Sequence, residues 1–220
     1  MLAVNPARGV KLPRRAPRQN TYLTADQLDA LADEAGRYRS LVLLLGVGGL
    51  RFGEAAALRV SDIDFLRRRV SLHRNAVRVG SHSVLGTLKN NKARTVALPA
   101  FVIDALAETA KGKDRDDLLW ASASGGYLGP PAGNKSWLSG AVDRCQKVDK
   151  TFPRVTAHDL RHTAASLAIS SGANPKVVQR MLGHASAAMS LDVYADLFES
   201  DLDSVAESVS KMCPRWADSP

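Results

Sequence analysis

Much of what supports the commoner enzyme chemistries is missing from these 220 residues. There are two cysteines, Cys145 and Cys213, with no CxxC pair. That excludes a disulfide-stapled scaffold and a cysteine zinc site, and points to free thiols in a reducing compartment. There is no GxxxxGK[ST] phosphate loop and no HExxH helix, so neither the usual nucleotide-driven nor the usual zinc-hydrolytic chemistry has its residues. The longest apolar run, LVLLLGVGGL, covers ten positions before Arg51. It is too short to cross a bilayer and reads as a buried helix. The N-terminus carries charges but no apolar core of a signal peptide. Only five histidines occur in the whole chain.

Positive charge is abundant instead. The formal net charge is +8, which favours an anionic partner, nucleic acid above all. The surplus is uneven. Residues 1–20 hold Arg8, Lys11, Arg14, Arg15 and Arg18 and no acid, whereas residues 196–220 hold six acids against Lys211 and Arg215. The front of the chain is drawn to polyanions and the tail is not.

Length and composition suit one well-cored domain with appendages. Residues 1–20, rich in Pro, Gly and Arg, read as a basic linker. Thr24 and Gln27 form a capping box for a helix reaching about Ala35. A second helix runs from about Tyr38 to the glycines Gly46, Gly48 and Gly49, and a third covers RFGEAAALR to near Ser61. Between Val70 and Leu98 the period shortens, with RVSLHRNAVRV, a turn at GSHS and ARTVALP suggesting about three antiparallel strands. Pro99 opens a helix to about Thr109, and residues 135–149 are helical. Thr156 caps a helix ending at Ser171 before Gly172. Asn174 caps a short one ending at Gly183. Short helices follow to near Tyr194 and over about 201–212. The fold class is α+β, mostly helical with a small three-stranded sheet.

Two of the five histidines fall within TAHDLRHTAASLAISSG, residues 156–172. On a helical wheel His158, Arg161, His162 and Ala165 share one face, and Leu160, Ala164 and Leu167 lie opposite. The capped N-terminus favours an anion beside His158. His162 reads as the structural member of the pair. His158 and His162 stand at the i, i+4 spacing of metal ligands, but Arg161 between them repels a cation. Arginine and histidine without metal suit phosphodiester transfer, where guanidinium groups clamp the non-bridging oxygens. Such a site needs a second arginine, an acid and a hydroxyl nucleophile. The chain offers Arg51 with Glu54 one turn on, Lys89 or Lys92, His184, and Tyr194. Tyr127 is a rival nucleophile by type, but it sits in a Gly/Pro loop.

The pieces LRFGE, LKNNKARTVAL, HDLRH, MLGH and LDVY, in that order across about residues 20–200, resemble the catalytic domain of the tyrosine recombinases, the phage integrase family. The resemblance implies that Arg51 and Arg161 bind the scissile phosphate and Glu54 supports Arg51. It implies that Lys89 protonates the departing 5′ oxygen, His158 assists proton transfer at the nucleophile, His184 bonds the phosphate and Tyr194 attacks. It implies no cofactor and no metal. Spacing to Arg94 favours Lys89 over Lys92, which then contacts DNA backbone, as Arg14 and Arg15 do. Arg74 and Arg78, alternating on a strand, contact DNA or are merely solvated. Implied partners are double-stranded DNA, three further copies on that DNA through the 201–212 helix, and a DNA-bending or directionality factor, all in a bacterial cytoplasm at the nucleoid. Asp196 stands where many relatives carry histidine. The N-terminal DNA-gripping domain usual in the family is expected to be absent, and Tyr194 is expected to lie away from Arg51 and Arg161 without DNA. The alternatives are a Xer-like resolvase of chromosome dimers, a degenerate DNA-binding fragment and, sharing the chemistry, a type IB topoisomerase.

Overall fold

The computed structural model describes residues 20–80, 82–86, 93–184, 194 and 210. Helix α1, Ala25–Glu34, begins at the Thr24–Gln27 capping box, and α2 spans Arg39–Gly48. The apolar run of α2 is the centre of the core: Leu41, Val42, Leu44 and Leu45 are fully buried. Against it pack α1, α4 (Ala100–Ala110) and α6 (Ala157–Ser170), with α5 (Trp137–Val148) on the far side of α1. Helix α2 stops at Gly49, whose φ of +67° is a left-handed cap. That stop turns the chain sharply, so Arg51 stands at the head of α3, Phe52–Ala56.

The third helix is shorter than its sequence suggests, ending at Ala56 instead of near Ser61. The following residues give up helical bonding to pair with a distant segment. Leu58 accepts from the backbone N–H of Leu119, and the N–H groups of Val60 and Ser61 donate to Asp117 and Arg115.

The sheet also differs from its sequence reading. Strands β1 (Ile63–Asp64), β2 (Arg69–Leu72) and β5 (Arg94–Ala97) form one antiparallel sheet in the order β1-β2-β5. Strands β3 (Asn75–Val79) and β4 (His82–Gly86) form a separate hairpin. RVSLHRNAVRV is therefore two strands, broken at His73–Arg74. The break has a cause: the buried carboxylate of Asp62 accepts from Arg74 Nη2 at 2.6 and 2.7 Å and has His73 Nε2 at 3.1 Å. Arg74, expected to face DNA or solvent, is thus turned inward onto Asp62. Arg78 stays exposed on the hairpin, its Nε donating to the carbonyl of Gly80.

Helix α6 has its predicted cap, Thr156 and Asp159 reciprocally bonded. Helix α7, Pro175–Leu182, has Asn174 as cap and Gly183 as left-handed stop. The single-faced wheel of α6 does not hold. Leu160 and Ala164 are buried as expected, but so are Arg161 and Ala165. A second cluster of Ala165, Ile169, Val178, Leu182 and Tyr194 covers the other side of α6. Lys89, Lys92, Arg14, Arg15 and the proposed 201–212 helix, apart from helical Ser210, lie outside the described residues.

Candidate active site

Two helix ends and the second turn of a third helix meet at one point. Arg51 at the head of α3, Arg161 in the second turn of α6 and Gly183–His184 just past α7 are brought together by the turn at Gly49 and the stop at Gly183. Arg161 Nη1 donates to the Gly49 carbonyl at 2.6 Å, and its Nη2 donates to the Leu182 carbonyl at 2.7 Å. Arg51 Nη2 reaches the Gly183 carbonyl at 3.4 Å. Two guanidinium groups from distant parts of the chain therefore share one short stretch of backbone, with acceptors at helix C-termini where the dipole favours cations.

The acid that makes this tolerable is Glu54, only 2% exposed. Its carboxylate accepts from the Arg51 backbone N–H at 2.9 Å and Arg51 Nη1 at 3.0 Å. It also accepts from Arg94 Nη1 at 2.8 Å and Nη2 at 2.7 Å, a bidentate pair. Burial pushes the Glu54 carboxyl up, but the bonds and charge of Arg94, then of Arg51, outweigh it and hold it below the usual range.

Arg94 is the site member that the sequence reading missed. It is on β5, directly after the segment holding Lys89 and Lys92. Its Nε also donates to the Met181 carbonyl at 3.3 Å. It lies so close to Gly183 that a Cβ there would meet its Cζ at 2.9 Å, and Gly183 has φ +65°. Gly183→Ala is expected to lose about 1–2 kcal/mol to the left-handed backbone, plus the displacement of Arg94. Chemical denaturation measures it, and an unchanged midpoint would refute this account of the turn.

Tyr194 is buried at 1% exposure. Its hydroxyl lies 2.9 Å from Nδ1 of His162. Its ring stacks parallel to that of His184, centroids 6.5 Å apart. Tyr194 was expected to lie away from Arg51 and Arg161 without DNA; neither guanidinium bonds its hydroxyl. The phenol is already packed beside α6, close enough for the Arg161 charge to act on it, but its hydroxyl is bonded to a histidine. That histidine is His162, read from sequence as structural. His158, expected beside the nucleophile, is exposed and meets His162 edge-on, ring centroids 4.7 Å apart.

The protonation pattern follows from crowding and positive charge. Burial pushes the Tyr194 phenol up to about 12 despite Arg161. Burial, then Arg161 and Arg51, push His184 down to about 4. His158 is lowered by desolvation and then by Arg161, and His162 by burial and then by His158. Arg161 falls to about 10, first by burial and then by Arg51, and stays charged at pH 7. At neutral pH the site holds cationic guanidinium groups, neutral imidazoles and a protonated phenol. That is the state of a cradle awaiting an anion.

Comparison with known proteins bears on the chain as a whole. A family model described as the phage integrase family matches residues 21–200. The integrase of Mycobacterium phage L5 is 30% identical over 221 residues, covering 96% of this chain and 57% of that protein. The chain thus spans about half the length of the curated relatives it matches. Among solved structures, the Tn1549 transposon integrase in complex with circular intermediate DNA aligns with a TM-score of 0.72 at 19% identity, covering 86% of this chain and 68% of that one. The catalytic domain of bacteriophage HP1 integrase aligns at 0.57 and 22%, covering 86% and 95%. By sequence and by fold, the chain belongs to the phage integrase family.

Proposed function

We propose that this chain is the strand-cleaving and rejoining part of a site-specific DNA recombinase that integrates or excises phage or prophage DNA. The observation that carries the reading is the convergence of Arg51, Arg161, His184 and Tyr194 on the short backbone between α7 and the turn after α2. The scissile phosphate sits against Arg51 and Arg161, whose fixed donors oppose the charge that grows on the non-bridging oxygens. His184 supplies a further hydrogen bond. The Tyr194 oxygen gives up its proton to a histidine of α6 as it attacks phosphorus, and the 5′ oxygen departs, taking a proton from Lys89. The product is a 3′-phosphotyrosyl link and a free 5′-hydroxyl. A phosphodiester replaces a phosphodiester, so no nucleotide is consumed. The 5′-hydroxyl of another strand reverses the step and completes the exchange.

Double-stranded DNA is the partner this chemistry requires, with Arg14, Arg15, Lys92 and exposed Arg78 as backbone contacts. Four copies act together on it, the 201–212 helix docking on a neighbour, with a DNA-bending or directionality factor where one is used. The workplace is the bacterial cytoplasm at the nucleoid. Among the described residues, no helix is long and apolar enough to cross a membrane.

The test is covalent trapping. Protein and nicked suicide DNA carrying the element's own junction are mixed in EDTA and resolved on a denaturing gel. A DNA-linked band is expected from the parent, and none from Tyr194→Phe. A band that persists in Tyr194→Phe, or that requires a divalent metal, would refute the assignment.

A further inference from the structure

The Tyr194 hydroxyl bonds His162, not His158. Among the described residues, the half-buried His162 ring has these neighbours. Tyr22, just before α1, presents its ring edge at 6.5 Å. His158 lies one turn back on α6 at 4.7 Å, and the Tyr194 ring lies at 5.7 Å. The charges acting on it come from Asp159 and Arg161 on its own helix, and His184 is coupled to it across Tyr194. Helix α6 fixes the imidazole's position, because Arg161 is tied at both Nη atoms and Ala165 is buried one turn on. A rigid ring nitrogen therefore faces the one atom that must lose a proton for the nucleophile to act.

We propose that His162 is the proton acceptor for Tyr194, with His158 a positioning residue behind it. The inference rests on the reading of Tyr194 as nucleophile. In the forward step the Oη–H bond breaks and its proton passes to Nδ1 of His162. The freed electron pair forms the Oη–P bond. The P–O5′ bond breaks with its pair on the 5′ oxygen, which takes a proton from the acid assigned to Lys89. In the reverse step the imidazolium returns its proton to Oη. Free imidazole at this position is held neutral by burial and then by His158, so it is ready to accept at pH 7. The phosphate arriving against Arg161 brings the opposing charge that stabilises the imidazolium. The base thus strengthens when substrate is in place.

Two measurements test this. The first needs no DNA: nitrogen-15 shifts of His162 in the whole chain at pH 7. The expected result is an unprotonated Nδ1 whose shift moves in Tyr194→Phe. A protonated Nδ1 overturns the proposal. The second is the rate of adduct formation on suicide DNA. His162→Ala is expected to slow it about 10²–10⁴-fold, the usual range for a general base, with the circular-dichroism spectrum of the folded chain retained. Added imidazole is expected to restore part of the rate. His162→Asn keeps a hydrogen-bonding group near the Nδ1 position but cannot take the proton, and is expected to be as slow as alanine. An active Asn variant would make His162 a positioning residue only and overturn the proposal. A parent protein that forms no adduct on its own junction removes the recombinase reading and this proposal with it, while the shift measurement still reports the pairing. A slow His162→Ala beside an active parent and an inactive Tyr194→Phe separates the two.

Discussion

Replacing Glu54 by alanine is expected to lower the free energy of unfolding by about 3–5 kcal/mol, the range for breaking a buried ion pair from one side. The carboxylate is buried and receives four hydrogen bonds from Arg51 and Arg94. Without it, two guanidinium groups face each other and Arg161 with nothing to offset them. Urea unfolding measures the loss, and a change under about 1 kcal/mol would show that water, not Glu54, compensates these charges. The same carboxylate sets an acid limb. Its pKa in the folded protein is lowered from the ordinary value of 4.5, so its contribution is fully present above that value. It disappears as pH falls through the depressed folded value. The parent should therefore lose stability progressively below about pH 4.5, and Glu54→Gln should lose this part of the slope.

Arg161→Lys is expected to cut the rate of covalent adduct formation about 10²–10³-fold, the effect of removing one preorganised donor from a transition state. The charge is kept, so a purely Coulombic role would leave the rate nearly intact. The geometry argues otherwise. The planar fork of Arg161 holds the carbonyls of Gly49 and Leu182 and still has N–H groups left for a phosphate. A lysine ammonium is a point donor and cannot span both carbonyls while also meeting the anion. Single-turnover cleavage at saturating DNA separates this from weakened binding. A lysine variant within tenfold of the parent would refute the bidentate account.

Local signals in the sequence were enough for the parts that local chemistry decides. Thr24, Thr156 and Asn174 cap their helices as read, because a cap is settled within four residues. The α+β class and the helical frame around the apolar run follow from periodicity. The split of the strands could not be read this way. It depends on Asp62 drawing His73 and Arg74 inward, contacts eleven and twelve positions apart whose burial the alternation pattern does not reveal. The site shows the same division. Arg51, Arg161, His184 and Tyr194 were singled out by type and order, and the fold gathers them. Arg94 was passed over because its role exists only through Glu54, which it meets across forty positions. The resemblance implies a role at the nucleophile for His158, and the sequence makes His162 structural, yet the approach of Tyr194 from outside the helix decides which of them touches the phenol.

The depth of Tyr194 has one more consequence. Its ring is packed with Ala165, Ile169, Val178 and Leu182. An aromatic side chain buries about 150–250 Å², worth about 4–6 kcal/mol at 25 cal/mol per Å². On the proposed chemistry, a severed DNA strand hangs from that ring between cleavage and rejoining. Its loose end is then moored through a side chain set in the hydrophobic interior. Letting go of a broken chromosome would mean first pulling a core residue out of its socket.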